Sequence, residues 1–244
     1  MSKYSDFSRF KDLHKGGRCF VILTGPSLTL EDVELLKNET TFAVNSCIRL
    51  FSKTSWRPNY YVITDRLVYK SLGNDLENSD MNCPIFYSRN GLARKIKKSN
   101  SYPFKSLYFY HFLNFITNGK STLGWSSDIS KGVADAPSCV YAVMQIAYYM
   151  GFKEVYVIGA DCNYSGANQH SVVTNYKPTV KISKNAGNHV LKAWRSIKIH
   201  LEDKDMKVYN STRGGMLELF PRVKLEDLFN KENEQYENHW NYAH

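Results

Sequence analysis

The sequence predicts an α/β protein: a single Rossmann-like domain with a mostly parallel sheet, helices on both faces and a lid loop. Three observations carry that expectation. Apolar runs of three to five residues recur along the chain, helical patterns fall between several of them, and the first run breaks sharply at Gly25-Pro26-Ser27-Leu28. A run apolar at every position suits a strand buried on both faces, as in a parallel sheet. Strands alternating with helices call for right-handed crossovers.

Strands are expected at residues 19–23, 41–45, 60–64, 85–87, 155–159 and 208–210. The first is Cys19-Phe-Val-Ile-Leu23, and Gly25-Pro26 ends it. Helical spacing follows at 31–36, so 24–27 bridge a strand and a helix. Asp65 follows the third run and either caps the next helix or faces a ribose. Residues 140–150 are apolar nearly all round, as in a buried helix. Ser138 precedes it as an N-cap, and Gly151 suits the position past its end. A third helical pattern covers 191–202. Residues 165–188 are polar with little periodicity, which reads as a lid or binding loop, or as a disordered insertion. The domain is expected to span 1–230, with 231–244 a polar tail.

Composition sets outer limits. The 244 residues are 43% hydrophobic and 14% aromatic, including 17 tyrosines, so a full core is expected, and tyrosine also suits stacking on sugars or bases. The net charge of +9 favours anionic partners, among which phosphate-bearing nucleotides, anionic glycans and membrane surfaces all fit. Arg94-Lys95-Ile96-Lys97-Lys98 is either a docking patch or a solvated helix face. Five scattered cysteines with no Cys-x-x-Cys pair argue against a zinc site and a disulfide framework. No apolar run reaches membrane-spanning length and no signal-peptide core opens the chain, so a cytoplasmic protein is expected.

Three expected strand ends carry polar residues: Thr24, Gly25, Pro26 and Ser27 after the first, Asn45 after the second, and Gly159, Asp161 and Asn163 with Tyr164 after a later one. In a parallel sheet all carboxyl ends share one edge, where ligands bind. There Gly25 lets the backbone approach a phosphate, and Ser27 can donate to it. Asn45 offers a donor and an acceptor to a base or ribose, or serves as a turn residue. Ser138 can cap its helix and also hold a phosphate at the same N-terminus. His170 and His189 flank the polar loop, where a histidine can act as a general base. Asp203-Lys204-Asp205 has the Asp-x-Asp form of some metal sites, but lies at the opposite edge, and a solvated turn accounts for it. Neither a P-loop nor a Gly-x-Gly-x-x-Gly fingerprint occurs.

Gly25-Pro-Ser-Leu28, Asn45 and the segment from Ser138 to Asp161 resemble the bacterial sialyltransferases of glycosyltransferase family 42. They also resemble the broader DUF115 family, which includes MAF-type flagellin-glycosylation proteins and archaeal pterin diphosphokinases (MptE-like). The stretch Val208-Tyr-Asn-Ser-Thr-Arg213-Gly-Gly-Met-Leu-Glu-Leu-Phe-Pro-Arg222 resembles the DUF115 branch more closely. The resemblance implies a glycosyltransferase that uses a nucleotide-sugar donor, CMP-linked in the sialyltransferases, with no metal and no other cofactor. Gly25, Ser27 and Asn45 would contact the nucleotide, Ser138 the donor phosphate, and Tyr164 the leaving phosphate. His189, or His170, would be the base, and Arg213 would face the donor or acceptor or form a structural salt bridge. Thr24 stands where the sialyltransferases have asparagine, and Asp135 lies near where they have arginine. The expected acceptor is a glycan or lipid-linked glycan of a bacterial surface; the basic charge leaves peripheral contact with a membrane open, a homo-oligomer is also compatible, and no nucleic acid partner is expected. Mg²⁺ enters only under the alternative of an ATP-dependent diphosphokinase. A second alternative is a nucleotide-binding protein without catalysis.

Overall fold

A computed structural model describes residues 6–89, 96–107, 123–134, 136, 138–163 and 186–230. Its strands are β1 (Arg18–Ile22), β2 (Thr41–Val44), β3 (Tyr60–Ile63), β4 (Ile85–Ser88), β5 (Ser101–Phe104), β6 (Glu154–Ile158) and β7 (Lys207–Asn210). Its α-helices are α1 (Leu30–Leu35), α2 (Arg66–Asn78), α3 (Cys139–Tyr149) and α4 (Ala186–Leu201). The sheet order is β5-β4-β3-β2-β1-β6-β7, and every pairing is parallel.

The chain first builds outward from β1 to β5, then returns to place β6 on the other side of β1. This reversal opens the sheet at the carboxyl ends of its central strands. Side chains alternate between the two faces along β1, and both faces are buried. Cys19 and Val21 pack in the core shared with α3 and α4, while Phe20 and Ile22 pack in the core shared with residues of α1 and α2. Register is tight beside the reversal, with Ile22 opposite Ile158 and Val21 opposite Phe42.

One strand and one α-helix fall outside the sequence-based expectation, as do two short 3-10 helices, Ser8–Phe10 and Asn45–Leu50. Strand β5 contains Pro103 and is half-exposed at an outer edge of the sheet, where a missing N–H is tolerated. Helix α2 buries only a thin stripe, Tyr69, Leu72 and Leu76, and leaves Leu67 exposed, so its period is weak. Its cap was the legible part: Asp65 Oδ1 accepts from the N–H groups of Leu67 and Val68 at 2.6 and 3.0 Å. Helix α4 begins at Ala186, so residues 186–188 are helical and do not belong to a lid. The remaining lid positions, 165–185, lie outside the described residues, as does the 231–244 tail.

Many tyrosines are core residues: Tyr60, Tyr61, Tyr87, Tyr141, Tyr149 and Tyr156 are all buried. The five cysteines are free thiols. Burial pushes the Cys47 thiol up to about 12, as for an inert side chain. Asp203 pairs with Lys204 and Asp205 with Lys153, and no cluster of three metal-ligating side chains occurs among the described residues. Within the basic run, Lys98 donates to the Ser79 carbonyl at 2.8 Å, and Arg94 and Lys95 are not described. No described helix is long and apolar enough to cross a membrane.

Candidate functional site

The carboxyl ends of β1, β2 and β6 meet in a crevice. Thr24, Gly25 and Pro26 line it from β1, Asn45 from β2, and Gly159 to Asn163 from β6. Ser138 and Cys139 contribute the N-terminus of α3, and Val190 and Trp194 contribute a wall from α4. The convergence anticipated for separate strand ends is therefore present. The described residues enclose about 110 Å³. Small-molecule sites span roughly 300–1,000 Å³, so a whole nucleotide would extend past these walls.

The Gly-Pro-Ser turn is built differently from a bare phosphate loop. The Gly25 N–H donates to the Gly159 carbonyl at 2.9 Å. Ser27 is not on the crevice wall; its hydroxyl donates to Asp161 Oδ2 at 2.8 Å and its N–H approaches the same oxygen at 3.4 Å. Asp161, a residue only 9% exposed, thus places its carboxylate on donors that the sequence assigned to a phosphate. Gly25 is needed for this packing, because a Cβ there would lie 1.9 Å from Asp161 Oδ2.

The loop after β7 braces Asp161 from behind. The Met216 N–H donates to the Asp161 carbonyl at 2.8 Å, and the Ala160 N–H donates to Thr212 Oγ1 at 2.9 Å. Gly215, at φ +78°, packs against the Asp161 backbone, where a Cβ would come within 2.8 Å of its Cα. Sequence reasoning missed Thr212 and Gly215. The Gly214-Gly215 pair was their signal, but nothing local says which strand it packs on.

Two polar groups in the crevice stay uncommitted. Asn45 adopts a left-handed conformation, φ +48°, which asparagine tolerates better than most residues. Its carbonyl accepts from the Tyr61 hydroxyl, while its side-chain Oδ1 is buried with no partner among the described residues. Ser138 takes the N-cap position of α3 in an extended conformation, yet its side chain makes no capping bond. The hydroxyl stands at the positive end of an 11-residue helix. Beside it the Cys139 thiol donates to the Val62 carbonyl at 3.3 Å. Burial raises the Cys162 thiol to about 11, as for a packing group.

Two further assigned residues stand apart from the crevice wall. His189 is exposed in the first turn of α4, next to the wall residue Val190. Arg213 does not line the crevice; it pairs with Asp32 at 2.7 Å and Glu226 at 2.5 Å, the salt-bridge alternative. Asp32 is fully buried and also closes the capping box of α1 with Thr29. Tyr164 and His170 lie outside the described residues. Val190 and Trp194, unassigned from sequence, reach the site only because α4 folds back across the sheet.

A parallel sheet with a polar crevice at its point of reversal defines the Rossmann-like class of ligand-binding α/β proteins. Residues 1–167 match the model of a family described as 6-hydroxymethylpterin diphosphokinase MptE-like, and the chain belongs to that family. No curated protein matches it in sequence. Among solved structures it is similar to the MAf glycosyltransferase from Magnetospirillum magneticum AMB-1, with 14% identity and a TM-score of 0.56. The match covers 89% of this chain and 37% of that one, so the chain spans little more than a third of that protein. It is also similar to the sialyltransferase CST-II in complex with CMP, with 15% identity, 84% of each chain covered and a TM-score of 0.49. The likeness to the MAf protein shows the Rossmann-like fold.

Proposed function

We propose that the chain is a glycosyltransferase that takes a sugar from a nucleotide-activated donor and passes it to a glycan or lipid-linked glycan. The observation that carries this reading is the crevice between β1, β2 and β6, where Asn45 Oδ1 and the Ser138 hydroxyl stand uncommitted beside a helix N-terminus. Such an edge suits the phosphate and ribose of a nucleotide. The name carried by the Magnetospirillum fold neighbour supports the same reaction class by analogy of fold. The donor in this reading is CMP-linked, carrying sialic acid or a related sugar, and no metal is used. A net charge of +9 suits work beside an anionic membrane surface.

In the proposed reaction His189 accepts the proton of the acceptor hydroxyl. The hydroxyl oxygen bonds to the anomeric carbon as the bond to the donor phosphate breaks. Ser138 and the N–H groups opening α3 stabilise the charge on the departing phosphate, an electrostatic role that fixed donors perform well. Tyr164 would assist them, and His170 is the alternative base.

The family description favours a second reading, a diphosphokinase acting with ATP and Mg²⁺. That chemistry needs carboxylates around the metal near the phosphates. Among the described lining residues the one carboxylate is Asp161, already bonded to Ser27.

A thermal-shift panel of CMP, UDP, GDP and ATP, each with and without Mg²⁺, separates the readings. Saturation at a hundredfold excess over Kd adds about 2.7 kcal/mol of stability. Metal-independent stabilisation by CMP is expected, weakened by Asn45→Ala and retained by His189→Ala, which abolishes transfer. Stabilisation by Mg-ATP alone would replace this reading with the second.

A further inference from the structure

We propose that a second cavity on the carboxyl edge of the sheet, beyond β7, binds an oxyanion: the phosphate or carboxylate of a second substrate. The cavity measures about 330 Å³ and lies between the chain leaving β7 and the returning segment 222–226. That segment is held in place by the Asn210–Arg222 bridge and by the Val223 N–H, which donates to the Asn210 carbonyl at 3.1 Å.

Three cationic side chains, Arg213, Arg222 and Lys224, line the cavity against one acid, Glu226. The two guanidiniums are fixed before any ligand arrives. Asp32 and Glu226 hold Arg213, while Glu218 and the Thr212 carbonyl hold Arg222, the latter at 2.9 Å. Each guanidinium carries five N–H donors in a rigid fork suited to phosphate and carboxylate. Lys224 is exposed and adds a mobile charge at the rim.

An independent observation points to a ligand. Ser211 lines the same cavity, is 5% exposed, and its hydroxyl is buried with no partner among the described residues. A buried hydroxyl left unpaired is costly, and an oxyanion would supply the missing acceptor. The cavity also adjoins the crevice, because Thr212 bonds the residue before Asp161. Its role as the subsite for the acceptor rests on the transferase reading; its affinity for an oxyanion does not.

Titration of the full chain with inorganic phosphate, and separately with acetate, is followed by amide ¹H–¹⁵N shifts against a chloride control of equal ionic strength. Shifts are expected to concentrate at residues 211–214 and 222–226. Response to phosphate alone identifies a phosphate ester, and response to acetate alone identifies a carboxylate. Ser211→Ala and Lys224→Gln should each weaken the apparent affinity roughly tenfold. Ser211→Ala should leave the thermal midpoint unchanged or higher, since its hydroxyl has no partner to lose. Absent shifts at these amides, shifts confined to 24–27 and 138–140, or affinity unchanged in both variants would each overturn the site. Failure of the nucleotide panel would leave these readouts untouched.

Discussion

Gly25 sits where a Cβ would lie 1.9 Å from an Asp161 carboxylate oxygen and 2.5 Å from the Gly159 carbonyl. Both neighbours are held, one by Ser27 and one by the Gly25 N–H itself. Gly25→Ala is therefore expected to destabilise the protein by about 1–3 kcal/mol, as overpacking does, and urea unfolding reads the change. An unchanged urea midpoint would show that the turn can shift freely. That a glycine was required at this turn was legible in the sequence. Its reason was not, because the carboxylate it accommodates arrives from 136 residues further along the chain, a separation no local pattern records. Asn45 makes the same point. A polar residue ending a strand was visible, but its unpaired Oδ1 appears only once Tyr61 has taken the backbone carbonyl.

At the scale of the element, α3 was the plainest reading. It is apolar nearly all round because it lies between the sheet and α4, with ten of its residues buried. Its one polar interior residue, Gln145, is fully buried and fully used. The side-chain oxygen accepts from the N–H groups of Ser126 and Ala134, both at 2.9 Å, and the amide nitrogen donates to the carbonyls of Ala134 and Tyr141. Gln145→Leu leaves three backbone groups of the 126–134 segment unpaired. A loss of about 3 kcal/mol or more is expected, with faster hydrogen exchange at the Ser126 and Ala134 amides. Equal protection in both proteins would contradict the role. By contrast, β5 and α2 were hard to read, since an edge strand and a thin apolar stripe each bury too little to leave a strong periodic signal.

Across the whole molecule, packing sets the response to acid. His14 stacks on Phe152 and shares a 2.7 Å hydrogen bond with the Tyr60 hydroxyl. His200 stacks on Trp125, and its ring nitrogen lies 2.6 Å from the Leu123 carbonyl, tying α4 to the segment before α3. Burial lowers the pKa of both below the usual 6.5, and for His200 it outweighs the raising effect of the Leu123 bond. The folded form therefore favours the neutral rings, while the unfolded chain takes up protons from about pH 6.5 downward. Stability is present above that value and is lost as pH falls through it toward the lowered folded values. Urea midpoints between pH 7.5 and 5.5 should fall less steeply in a His14→Gln/His200→Gln variant, whose amides keep a polar contact. Equal slopes would place the acid sensitivity elsewhere.

The sequence by itself determined the parallel sheet, the buried helix and the edge on which the polar strand ends gather. Each rests on local period, on apolar runs long enough to be buried on two faces, and on strand ends that cannot stay apolar. Only the tertiary structure decided that Asp161 takes the Ser27 donors, that Arg213 anchors α1, and that Asn45 and Ser138 remain uncommitted. Those outcomes depend on which chain segments meet across the sheet. Hydrogen-bond donors and acceptors are allotted by distance in space, and spacing along the chain does not fix that distance.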